Sequence, residues 1–82
     1  MKLPRDVSGD ELAALLHGYG YEVTRQTGSH LRLTRSAEGT EHHVTVPRHD
    51  SLRVGTLSAL LGDVAASLGI KRAELAAKLF GR

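Results

Sequence analysis

The chain has no cysteine and no tryptophan, and its 82 residues include only two prolines and three aromatic side chains, Tyr19, Tyr21 and Phe80. Without cysteine there is no disulfide framework and no thiolate metal site, a composition that fits a reducing cytoplasm. So few aromatics leave little for nucleic-acid bases to stack on. No apolar run approaches the length of a membrane span, so no membrane partner is expected. The segment Met1-Lys2-Leu3-Pro4-Arg5-Asp6 lacks the apolar stretch of a secretory signal. What remains is enough for one small domain with a modest core built from Leu, Ala and Val.

The formal net charge is only +2, but it is unevenly spread. Residues 1–24 carry Lys2 and Arg5 against Asp6, Asp10, Glu11 and Glu22. Residues 25–53 carry Arg25, Arg32, Arg35, Arg48 and Arg53 against Glu38, Glu41 and Asp50, together with four of the five histidines. A mildly basic middle suits an anionic partner such as RNA. An Arg-rich solvated surface has the same composition, and a charge this small does not separate the two.

Ser8-x-x-Glu11 is a capping-box pattern that opens a helix. Leu12, Leu15, Leu16 and Tyr19 follow at helical spacing as one apolar stripe, and Gly20 supplies a left-handed stop. Three segments then alternate as half-buried strands do: Tyr21–Arg25, Ser29–Thr34 and His42–Val46. Gln26-Thr27-Gly28 and Ala37-Glu38-Gly39-Thr40 read as the turns between them, and Pro47 ends the third strand. A three-residue first turn pairs Val23 with Leu31 and Tyr21 with Leu33. The second turn pairs Leu33 with Val44 and Leu31 with Val46, so the inward residues agree across the sheet. The opposite face collects Glu22, Thr24, His30, Arg32, Thr34, His43 and Thr45. No large apolar side chain lies on it, so nothing in the chain is obliged to cover it.

A second helix carries the stripe Leu57, Leu60, Leu61, Val64, Ala65 and Leu68, with Asp50, Ser51 or Thr56 as its cap. Gly62 inside it calls for an explanation, which close packing of the helix on the sheet would supply. Gly69 ends it, and Lys71–Phe80 reads as a short third helix. The expected fold is α+β in the order α-β-β-β-α: a three-stranded antiparallel sheet with helices on one face, plus a short C-terminal helix. This is the arrangement of double-stranded-RNA-binding domains.

These segments carry a family resemblance. Ser8-Gly9-x-Glu11-Leu12, Gly20-Tyr21, Arg25-x-x-Gly28-Ser29-His30, Val44-Thr45-Val46-Pro47-x-His49 and Leu52-x-x-Gly55-Thr56-Leu57 follow one another as they do in the HicA-type toxins of bacterial and archaeal toxin–antitoxin pairs. The chain resembles them as a single domain, 1–82, with a core over residues 8–68 and a helical extension over 69–82. The resemblance implies a small cytoplasmic endoribonuclease that cleaves mRNA and halts translation. It also implies inhibition by a HicB-type antitoxin, and it places the catalytic histidine at His30.

The residues themselves allow that chemistry. RNA cleavage by its own 2′-hydroxyl needs a base for that proton and an acid for the leaving 5′ oxygen, and histidine serves in both roles. No cofactor is required. On the open face Thr24 is expected opposite His30, and Arg32 lies two residues along. Arg32 either neutralises the scissile phosphate or forms a cross-strand ion pair with Glu22. Gly28 and Ser29 shape the turn and are candidate RNA contacts, as are Arg25 and Arg48. His49, just past Pro47, should return near that turn, either to support the site or to order the loop. His43 shares the face but lies four strand positions from the partner of His30, too far to act with it directly. His42 and His43 point to opposite faces and so do not share a metal; no metal site is expected. A non-catalytic RNA-binding module and a pure protein-interaction domain remain as the two rival readings.

Overall fold

The computed structural model describes residues 2–81. The element order is α1 (Gly9–His17), β1 (Glu22–Thr27), β2 (His30–Ala37), β3 (Thr40–Pro47), α2 (Val54–Leu68) and α3 (Arg72–Phe80). The strands form one antiparallel sheet in the order β1-β2-β3. The helices cover one face of it, as in the double-stranded-RNA-binding arrangement.

The capping box forms in full. The Glu11 N–H donates to the Ser8 hydroxyl at 3.0 Å, and the Ser8 N–H donates to the Glu11 carboxylate at 3.0 Å. Gly20, at φ +93°, closes the helix end. Its N–H donates to the His17 carbonyl at 3.1 Å and that of Tyr21 to the Leu16 carbonyl at 3.3 Å, the paired bonds of a Schellman stop. The buried stripe is Gly9, Leu12, Ala13 and Leu16. Leu15, expected on it, is 37% exposed because the inner face is rotated toward Ala13.

The register between β2 and β3 is the expected one, with Leu33 opposite Val44 and Leu31 opposite Val46. Between β1 and β2 it differs. The first turn has two central residues, Gly28 and Ser29, because Thr27 already pairs with His30. Only Gly28 has positive φ, +51°, as a type II′ hairpin requires. The pairing then runs Gln26 with Leu31 and Arg25 with Arg32, skips Thr24, and resumes at Val23 with Leu33. Thr24 is therefore the surplus residue of a β-bulge. The two-residue turn places Arg25 opposite Arg32 on the open face, and the bulge beyond it restores the side-chain parity of Val23. Val23 lies on the helix side as expected, but on an edge strand, and it remains 50% exposed.

Tyr21, Leu12, Leu16, Leu33, Leu57, Leu61, Leu75, Val46 and Val64 are the largest fully buried side chains. Full burial of a side chain of this size stabilises the fold by about 1.5–3 kcal/mol relative to exposure. Leu75 and Ala76 of α3 belong to the same buried cluster as the sheet and the first two helices, and α3 turns off α2 by 107°. Among the described residues no single helix is long and apolar enough to cross a membrane.

The start of α2 departs from expectation. Its N-cap is Arg53, with no side-chain capping bond. The chain just before it is tied down elsewhere, since the Leu52 N–H donates to the Val7 carbonyl at 2.7 Å. That bond leaves Asp50 and Ser51 outside the helix. Gly62 is not required by packing on the sheet either. A Cβ there would meet only the Arg72 side chain, at 3.7 Å and 3.8 Å, which is ordinary contact. Gly62→Ala is therefore expected to stabilise the fold by about 0.8 kcal/mol through helix propensity. In a domain of this size that is a rise of about 3–6 °C in Tm by calorimetry. A fall in Tm would show that Arg72 does not yield the space.

Candidate functional site

His30 is the first residue of β2, exposed, with Thr27 opposite it on β1 and Pro47 opposite it on β3. Thr24, expected opposite His30, is instead at the bulge. Alternation along β2 puts Leu31 and Leu33 in the core and His30, Arg32 and Thr34 on the other face.

The turn before His30 is anchored from a distance. The Arg48 N–H donates to the Ser29 carbonyl at 2.6 Å, and the Gly9 N–H donates to the His49 carbonyl at 3.0 Å. Three segments thus meet beside His30: the Gly28–Ser29 turn, the stretch after β3, and the first turn of α1. Gly9 is what lets them approach. A Cβ on it would overlap the Pro47 carbonyl oxygen and stand 2.9 Å from the Pro47 carbonyl carbon and 3.0 Å from the Arg48 Cα. His49 does return to this junction, as expected, with its side chain exposed.

Arg48 is held in place. Its Nε donates to Asp10 Oδ1 at 3.0 Å and an Nη to Oδ2 at 3.2 Å, a fork that ties the end of β3 to α1. The hydrogen bond and the attraction of the Asp10 carboxylate raise the Arg48 pKa above its ordinary value. Any anion reaching Arg48 must compete with Asp10 for it.

Of the two readings of Arg32, the cross-strand ion pair with Glu22 does not form. Glu22 sits opposite Thr34, and no ion pair joins it to Arg32 among the described residues. Arg32 faces Arg25 instead.

A chain of hydrogen bonds crosses the open face on the far side of Arg32 from His30. Thr24 Oγ1 lies 2.7 Å from Thr34 Oγ1, which lies 2.8 Å from His43 Nδ1; His43 Nε2 is 3.6 Å from Glu41. It leaves Thr34 only 9% exposed although its face is open. His42 points the other way, its Nδ1 at 2.7 Å from the hydroxyl of buried Tyr21. The two adjacent histidines thus lie on opposite faces.

Sequence reasoning did not find the bulge, the threonine–histidine chain or the close approach at Gly9. The signal for Gly9 was present: a glycine in the first turn of a well-capped helix weakens that helix unless something needs the space. The bulge had no comparable mark.

A family model described as the HicA toxin of bacterial toxin–antitoxin matches residues 9–73. No curated protein and no solved structure matches the chain. The match spans all three strands, the His30 turn and the first two helices, and reaches the start of α3. The chain belongs to the HicA family of toxins of bacterial toxin–antitoxin pairs.

Proposed function

We propose that this toxin is an endoribonuclease that cleaves mRNA in the cytoplasm without a metal ion, with His30 as the general acid/base, and that a HicB-type antitoxin restrains it. The observation that carries this reading is the setting of His30. It is an exposed imidazole at the head of a strand, on an uncovered sheet face, beside a turn that is pinned by the Arg48–Ser29 bond.

The RNA brings its own nucleophile. His30 takes the 2′-hydroxyl proton, and the 2′ oxygen bonds to phosphorus as the bond from phosphorus to the 5′ oxygen breaks. The imidazolium then returns a proton to that 5′ oxygen. The products are a 2′,3′-cyclic phosphate and a 5′-hydroxyl. Arg25, Arg32, Gly28, Ser29, Arg48 and His49 border the path of the strand and make its contacts, with Arg48 exchanging Asp10 for phosphate. Membership of a toxin–antitoxin family supports the antitoxin partner.

Purified protein incubated with a single-stranded transcript in excess EDTA tests the reading. Cleavage should persist, the fragments should end in 2′,3′-cyclic phosphate, and a strand with 2′-deoxyribose at the cut site should survive. Salt-sensitive binding without any cleavage would replace this reading with a non-catalytic RNA-binding module. Absence of both would leave a protein-interaction domain.

A further inference from the structure

The two-residue turn at Gly28–Ser29 has an electrostatic result. Counting back from it sets Arg25 directly across from Arg32 in an antiparallel pair, both exposed. Like charges in that position repel and weaken a sheet. Neither guanidinium has a carboxylate within ion-pairing distance among the described residues. The acidic side chains of this face are placed elsewhere, Glu22 opposite Thr34 and Glu41 beside His43. Without the bulge at Thr24, alternation from Arg25 would bring Val23 to the open face beside them. The bulge is also fastened, since Thr24 Oγ1 bonds Thr34 Oγ1 at 2.7 Å and reaches the Arg32 carbonyl at 3.4 Å. The fold thus locks two uncompensated cations together on the face that carries His30.

We propose that Arg25 and Arg32 form a phosphate subsite for single-stranded RNA that holds the phosphate next along the chain from the one at His30. The proposal rests on the ribonuclease reading above. Arg32 stands two positions from His30 on β2, about 7 Å along the strand. That is one nucleotide step of an extended RNA. A group pulled toward Arg25 on β1 serves the flanking phosphate better than the scissile one. Phosphate between the two guanidinium groups offsets their repulsion and accepts hydrogen bonds from both. The subsite fixes the register of the strand, so that one particular phosphate arrives at the imidazole.

The test uses the wild-type protein, the Arg25→Gln/Arg32→Gln double variant and a Lys78→Gln control on α3. Each is titrated with a 2′-O-methyl oligoribonucleotide, which cannot be cleaved, over a series of salt concentrations. Two lost phosphate contacts should reduce the slope of log K against log salt by about 1.4, and affinity at 50 mM salt should fall about 50-fold. Lys78→Gln should change neither. The double variant should also melt no lower than wild type, because the like-charge pair is relieved; a pair that served only the fold would make it melt lower. An unchanged slope in a double variant that melts like wild type overturns the subsite. If wild type still cleaves RNA in EDTA in that case, the ribonuclease reading stands without it. If wild type neither cleaves nor binds, the ribonuclease reading fails and the subsite fails with it.

Discussion

His30→Ala is expected to remove RNA cleavage while leaving the fold intact. The side chain is exposed at the head of β2 and makes no hydrogen bond among the described residues, so its truncation leaves no buried group unpaired. A positioned general acid/base contributes about 10²–10⁴-fold to a rate, and a loss of that size in cleavage is the expected result. Expressed from a tightly repressed promoter, wild type should arrest growth and deplete intact mRNA. The variant, at matched soluble level and with the same Tm, should do neither. Equal arrest by both would move the chemistry away from His30. Arrest by the variant with mRNA intact would separate toxicity from cleavage.

Gly9→Ala should act on the same site by way of the fold. The added methyl group overlaps the Pro47 carbonyl, which is backbone and has no rotamer to escape into. Either α1 lifts from the sheet or the Pro47–His49 stretch shifts. In both cases the bond from the Gly9 N–H to the His49 carbonyl is strained or lost. Overpacking of this kind costs about 1–3 kcal/mol, and the weakened backbone bond adds about 1 kcal/mol. In so small a domain the expected fall in Tm is about 10 °C or more. Because Arg48 also anchors Ser29, surviving folded protein should cleave RNA more slowly than wild type. Gly18→Ala is the matched control, since a Cβ there meets only the Leu15 carbonyl oxygen, at 3.5 Å. If Gly9→Ala melts with wild type and Gly18→Ala, the close approach has no energetic weight.

Much of this arrangement was legible in the residues. The capping box at Ser8 and Glu11, the left-handed stops at Gly20 and Gly69, and the pairing of Leu31 and Leu33 with Val46 and Val44 follow from local chemistry and period-two alternation. The position of His30 on an open face follows from the same alternation. What alternation does not encode is the surplus residue. An even slip in the outer half of β1 keeps Val23 on its expected side, so the pattern looks right while the register is wrong. The first turn fails for a related reason. Gly28 marks where positive φ is needed, but a two-residue and a three-residue hairpin both use it. Arg48 looked like a free cation because its partner, Asp10, is remote in sequence. Arg25 and Arg32 became a pair only once the length of the first turn was known.

The bond from Arg48 to Ser29, and the one from Gly9 to His49 beside it, also bear on when the protein becomes itself. A β-hairpin can close soon after it is made, but this turn takes its final form only after the chain has run on through β3 and docked against α1. The core that holds those pieces together then waits for Leu75, in the last helix. A ribosome therefore releases His30 long before it releases the residues that hold its turn in place. A chain interrupted within α2 would carry His30, His42, His43 and His49 and still lack the core closed by Leu75.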